Sequence, residues 1–174
     1  MESKLRYRKA MEALYLACIV ISGLALVTIT VVIPYGVFMR YVMNNAQSWP
    51  EPLAILLMVV FTFIGGAAVY RAGGHIAVQA LLNAVSPRKK RALLYLVDLT
   101  MALTAGFMLV WGMQLVKATW NQVIAEFPVV SVGVNYLPLP IGGLITLLFI
   151  IEQVWLGPPP PDSIVYSDAQ SDLE

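Results

Sequence analysis

The sequence predicts an all-α integral membrane protein with four transmembrane helices, both termini cytoplasmic. Three observations carry that prediction. Charged residues make up 12% of the chain and apolar residues 59%, whereas a soluble domain carries about 25% charged residues. With a mean hydropathy of +0.77, too little polar surface remains to cover a water-soluble globule. The apolar residues gather into charge-free runs long enough to cross a hydrocarbon core of about 30 Å, which takes about 20 helical residues. Finally, nine of the eleven basic residues fall on one side of those runs.

The runs place spans at about residues 13–39, 52–71, 92–116 and 138–156. The first lies between Glu12 and Arg40. Lys4, Arg6, Arg8 and Lys9 before it imitate a signal peptide, but the run far exceeds the roughly 7–15 apolar residues of a secretory signal, and no small-residue cleavage site ends it. It reads as a retained span that Pro34 kinks or ends on the outer side. The second span lies between Glu51 and Arg71, and the third is interrupted by Asp98 alone. Pro138 and Pro140 suit the first turn of the fourth, where their missing N–H groups would be unpaired anyway. Glu152 falls near the far end of that span, within reach of the interface.

Cytoplasmic flanks are enriched in Lys and Arg. Lys4, Arg6, Arg8, Lys9, Arg71 and the run from Arg88 to Arg91 mark that side, leaving Arg40 and Lys117 outside. Tyr41, Trp49, Trp120 and Tyr136 fit an outer aromatic belt, and Tyr15, Tyr70, Tyr95 and Trp155 an inner one. In the inner loop, Val78, Leu81, Leu82 and Val85 follow helical spacing, predicting a short amphipathic helix on the membrane surface that stops before Pro87. The basic run after it holds the loop on the cytoplasmic side, with specific lipid binding as the competing role. The membrane domain ends near residue 156. In the tail, 157–174, four consecutive prolines precede Asp162, Asp168, Asp172 and Glu174, a composition that predicts a disordered end.

Few chemistries fit these residues. A net charge of +1 argues against nucleic-acid binding. The lone Cys18 offers no dithiol, and the lone His75 no pair of haem ligands. Too few His, Cys and carboxylate residues are available for a metal centre. No cofactor and no enzymatic activity are expected. Asp98 is the one charge well inside a span; it reads as a packing or hydrogen-bond anchor, with an ion pathway as the alternative. Asp98, Ala102, Ala105, Gly106, Leu109 and Gly112 follow one side of the third span, and Gly65 and Gly66 lie in the second. Small residues at such positions let helices approach closely.

Several short stretches resemble the small permease (DctQ-type) subunit of tripartite ATP-independent periplasmic, or TRAP, transporters. They are Arg40-Tyr41-Val42-x-Asn44, Trp49-x-Glu51-x-Leu53-Ala54, Gly65-Gly66-Ala67, Arg71-x-Gly73-Gly74-His75-Ile76-x-Val78 and Tyr136-Leu137-Pro138-Leu139-Pro140-Ile141-Gly142. Their order and the four-span layout extend the likeness over roughly residues 10–156. Pro52 and Gln79 stand where the family often has acids, so no role of those acids carries over.

The resemblance implies a bacterial inner-membrane uptake system in which a periplasmic binding protein delivers a solute, commonly an organic acid. A large permease subunit then carries it by a sodium-driven elevator movement. This chain would scaffold that large subunit, meet the binding protein transiently and contact membrane lipids. Arg40 and Glu51 flank one outer loop and are expected to pair, with a contact to the large subunit or the binding protein as the further role. Trp49 is expected to anchor at the interface. Arg71 and His75 are expected to pin the turn at the cytosolic surface, where Gly73 and Gly74 let the chain reverse. Three rivals stay open: the small subunit of a tripartite tricarboxylate transporter, a self-contained homo-oligomeric channel or exporter, and a scaffold with no transport role.

Overall fold

The first helix is longer than its apolar run. In the structure, a computed structural model that describes residues 2–73 and 87–157, α1 spans Glu2–Tyr41 and takes in the basic segment before the apolar stretch. Pro34 sits inside α1, which continues to Tyr41, so the proline does not end the span. After a loop in which Asn44 adopts a left-handed conformation at φ 50°, α2 runs Pro50–Arg71 with prolines in its first turn. The third helix, α3, is Pro87–Thr119. A two-stranded antiparallel hairpin follows, β1 Val123–Ile124 and β2 Phe127–Ser131. The short helix α4, Val132–Tyr136, then leads into α5, Pro138–Leu156. Among the described residues, four helical stretches are long and apolar enough to cross a membrane: Lys4–Tyr41, Pro50–Arg71, Leu93–Thr119 and Val132–Leu156. The inner-loop helix expected near residues 78–85, His75 and the tail beyond Gly157 lie outside the described residues.

The long helices pack in an open row, α1 on α2, α2 on α5 and α5 on α3, with a smaller contact between α1 and α5. The apolar stretch of α3 is 6% buried and that of the last span 44%. α5 is therefore the central element, and α3 attaches chiefly through it. Met11, Tyr15 and Cys18 of α1 meet Ile64, Ala67, Ala68 and Tyr70 of α2 and Ile145, Phe149 and Ile150 of α5 in one cluster.

Two adjacent glycines make the central position of α5 possible. A Cβ on Gly142 would lie 2.7 Å from the Phe63 carbonyl oxygen of α2, and one on Gly143 would lie 2.7 Å from the Ala105 carbonyl oxygen of α3. Successive helical residues point about 100° apart, so each glycine admits a different neighbour.

The hairpin is fastened to the end of α3. The Ser131 hydroxyl donates to the Trp120 carbonyl at 2.5 Å and accepts from the Gly133 N–H at 3.0 Å, capping α4. Val132 N–H donates to the Gln122 carbonyl at 2.8 Å. The sequence pattern does not predict this hairpin. Its strands are short, and their pairing is irregular between Val123 and Ile124.

Candidate functional site

Polar side chains from four helices converge at the end of the row where α1 begins and α5 finishes. Arg71 closes α2, yet its side chain is only 3% exposed, as is that of Glu152 on α5. Arg71 Nε donates to Glu152 Oε2 at 2.8 Å and Nη2 donates to Oε1 at 2.9 Å, forming a two-pronged ion pair. The guanidinium carbon lies 5.1 Å from the Tyr15 ring centre and 5.5 Å from that of Phe149, so two aromatic rings also contribute to holding the cation. Nη1 has no hydrogen-bond partner among the described residues.

The residues next to this pair in sequence reach α3. Tyr70 OH donates to Asp98 Oδ1 at 2.9 Å, and Gln153 Nε2 donates to the same oxygen at 3.3 Å. Residues 70–71 of α2 and 152–153 of α5 thus form two polar ties side by side, one joining α2 to α5 and the other joining both to α3. The start of α1 adds a third attachment. Tyr7 OH donates to the Leu148 carbonyl at 3.2 Å, and Arg8 Nη2 donates to the Leu156 carbonyl at 3.1 Å. A cation at the final carbonyl of α5 meets the negative end of the helix dipole. Tyr7 also packs edge-on against Trp155, with ring centres 5.9 Å apart.

At the opposite end, Arg40 Nη2 lies 2.8 Å from Glu51 Oε1, with side chains 44% and 65% exposed. Trp49 precedes α2 and packs against Tyr35, ring centres 5.7 Å apart.

The structure adds to the sequence expectations for Arg71 and Glu152 that each is buried against the other. A charge in an apolar interior is tolerated when its partner shares the site. The signal was present as opposite charges at the same end of spans two and four. The small residues also divide differently from the sequence pattern. Gly65 faces Ser22, with a hypothetical Cβ 3.2 Å from its Oγ, and Gly112 meets Pro140 and Leu139. Gly66 and Gly106 have open space where a Cβ would sit. The closest approaches belong instead to Gly142 and Gly143.

Asp98 takes its place in the cluster as a hydrogen-bond acceptor. Asp98→Asn should preserve the Tyr70 contact and the helix arrangement. Asp98→Ala should cost about 1 kcal/mol, the scale of interhelical hydrogen bonds in membranes, measured as a lowered thermal unfolding midpoint in detergent. Loss of solute uptake by Asp98→Asn in a fully assembled complex would instead assign the carboxylate to an ion pathway.

The threonine hydroxyls are satisfied locally. Those of Thr28, Thr30, Thr62, Thr104, Thr119 and Thr146 each donate to a carbonyl one turn earlier on their own helix. These bonds satisfy each hydroxyl within its own helix, while the paired charges tie one helix to another.

Fold and site together define a small polytopic helical membrane protein whose polar groups serve helix-to-helix attachment. The chain belongs to the DctQ component family of tripartite ATP-independent periplasmic transporters, whose family model matches residues 29–157. It is also 20% identical over 124 residues, 71% of each chain, to the sialic acid TRAP transporter small permease protein SiaQ of Vibrio cholerae serotype O1. It is accordingly a TRAP small permease subunit, a component of a transporter and not an enzyme.

Proposed function

We propose that this subunit scaffolds the large permease subunit of a bacterial inner-membrane complex for sodium-driven uptake of an organic acid. A periplasmic binding protein delivers the solute and meets the assembled pair transiently, and both termini of this chain face the cytoplasm. The observation that carries the reading is the interlocked cluster of Arg71, Glu152, Tyr70, Asp98 and Gln153, which commits the intramembrane charge to holding three helices together. A subunit that fixes its own helices in this way suits a stationary part better than a moving one. The unequal distribution of basic residues supports the orientation. Sialic acid, the solute in the relative's name, carries a carboxylate and falls within the proposed substrate class.

A pull-down of the tagged chain from its native membrane in mild detergent, with partners identified by mass spectrometry, tests the reading. Recovery of a much larger polytopic permease in near-equal amount is the expected result. Recovery of the chain alone, as a discrete homo-oligomer, would overturn it in favour of a self-contained channel or exporter.

A further inference from the structure

The geometry points to a binding site for a phospholipid with a primary-amine headgroup, a phosphatidylethanolamine, between α1 and α2 at the hairpin end. A pocket of about 170 Å³ opens there, with Arg40, Gln47 and Glu51 at its rim and Ile33, Val37 and Pro50 among its walls. Ile33, Val37 and Arg40 recur at i, i+4 and i+7, so they share one face of α1. That face passes from a charge to apolar side chains along the helix, in the order in which a lipid passes from headgroup to acyl chain.

The position along the chain fits the same plane. Arg40 is the first charge after the apolar run of α1, and Glu51 is the last before that of α2. Aromatic Trp49 and Tyr35 lie in contact nearby, as side chains at a headgroup boundary do. Val37 is 52% exposed and Ile33 39% exposed, so the apolar wall is open to surrounding lipid.

Charge complementarity selects the headgroup. The Arg40–Glu51 contact engages Nη2 with Oε1, whereas a guanidinium has five N–H donors and a carboxylate about four acceptor positions. The rim therefore offers donors to a phosphate and acceptors to an ammonium, side by side. An exposed ion pair of this kind contributes at most about 1 kcal/mol to folding, which leaves both groups free to exchange contacts with a ligand. An ethanolamine ammonium has N–H groups to give Glu51. A choline headgroup has none, and a glycerol headgroup carries no cation.

The test uses the full chain in nanodiscs containing equal amounts of phosphatidylethanolamine, phosphatidylcholine and phosphatidylglycerol with identical acyl chains. Lipid retained after extraction is then counted by native mass spectrometry. Retention of phosphatidylethanolamine over phosphatidylcholine by about fivefold is expected, the discrimination of one exposed charged contact. Glu51→Gln should bring that ratio close to unity, and Arg40→Gln should lower retention of all three lipids. Val37→Trp fills the apolar wall without touching the ion pair and should also lower retention of all three. Unfolding midpoints close to that of the unaltered chain would confirm that the variants are folded.

Equal retention of the ethanolamine and choline lipids by the unaltered chain would overturn the proposal. So would a preference that survives Glu51→Gln. Unchanged lipid retention in every variant would overturn it as well.

Discussion

Replacing Arg71 with alanine is expected to destabilise the subunit by about 3–5 kcal/mol, the cost of leaving one member of a buried ion pair without its partner. The reason lies in what Glu152 would face. Its carboxylate is 3% exposed and receives both guanidinium hydrogen bonds. Without Arg71 both bonds are lost, and Tyr15 and Phe149 lose the charge that sits against their rings. Glu152→Ala should cost a comparable amount, because it strands the guanidinium instead. The double variant Arg71→Met with Glu152→Met should recover much of the loss, since an apolar pair of similar volume removes both uncompensated charges. Unfolding midpoints of the parent, Arg71→Met, Glu152→Met and the double variant in one detergent give the coupling directly. If the two single changes simply added in the double variant, the pair would not be energetically linked, and the cluster would lose its claim to hold α2 on α5.

How much of this was readable beforehand follows the kind of signal each feature leaves. The four apolar helices were legible because a bilayer imposes length and hydrophobicity on contiguous residues. Helix limits were less so. The polar stretch from Lys4 to Lys9 is helical in the structure although nothing apolar marks it, because Tyr7 and Arg8 find partners on α5. The Arg40–Glu51 contact was readable because both residues border one loop. The Arg71–Glu152 pair joins residues far apart in sequence, and only the packing of α2 on α5 brings them together. Asp98 was identifiable as a lone intramembrane acid, but its donors Tyr70 and Gln153 were not, since neither carries a charge that singles it out. Small residues were legible as a type and not as contacts. Gly106 and Gly143 look alike in sequence, and only Gly143 meets the backbone of another helix.

That difference sets up the second large effect. Gly143→Ala should cost about 1–3 kcal/mol, the usual range for forcing extra volume into a packed contact, and should loosen α3 from the row. The added methyl would lie 2.7 Å from the Ala105 carbonyl oxygen and 3.1 Å from the Leu109 nitrogen. These are backbone atoms, which cannot turn aside as a side chain can, so α3 itself must move. Because α3 attaches chiefly through α5, no second interface of similar extent holds it in place among the described residues. Gly142→Ala should cost a similar amount by pushing α2 away, its methyl 2.7 Å from the Phe63 carbonyl oxygen and 3.0 Å from the carbonyl carbon. There the ion pair of Arg71 with Glu152 should keep the far end of α2 attached. Gly106→Ala provides the contrast: apart from the adjoining residues and backbone of its own helix, no atom of the described residues lies within 4 Å of its added methyl, and replacing a helical glycine with alanine favours the helix by up to about 1 kcal/mol. Unfolding midpoints should therefore fall for Gly142→Ala and Gly143→Ala and hold or rise for Gly106→Ala. A cysteine pair placed across α3 and α5 should cross-link readily in the parent background and poorly with Gly143→Ala. Equal cross-linking in both would mean that the closeness of the two backbones at Gly143 does not determine how α3 is held.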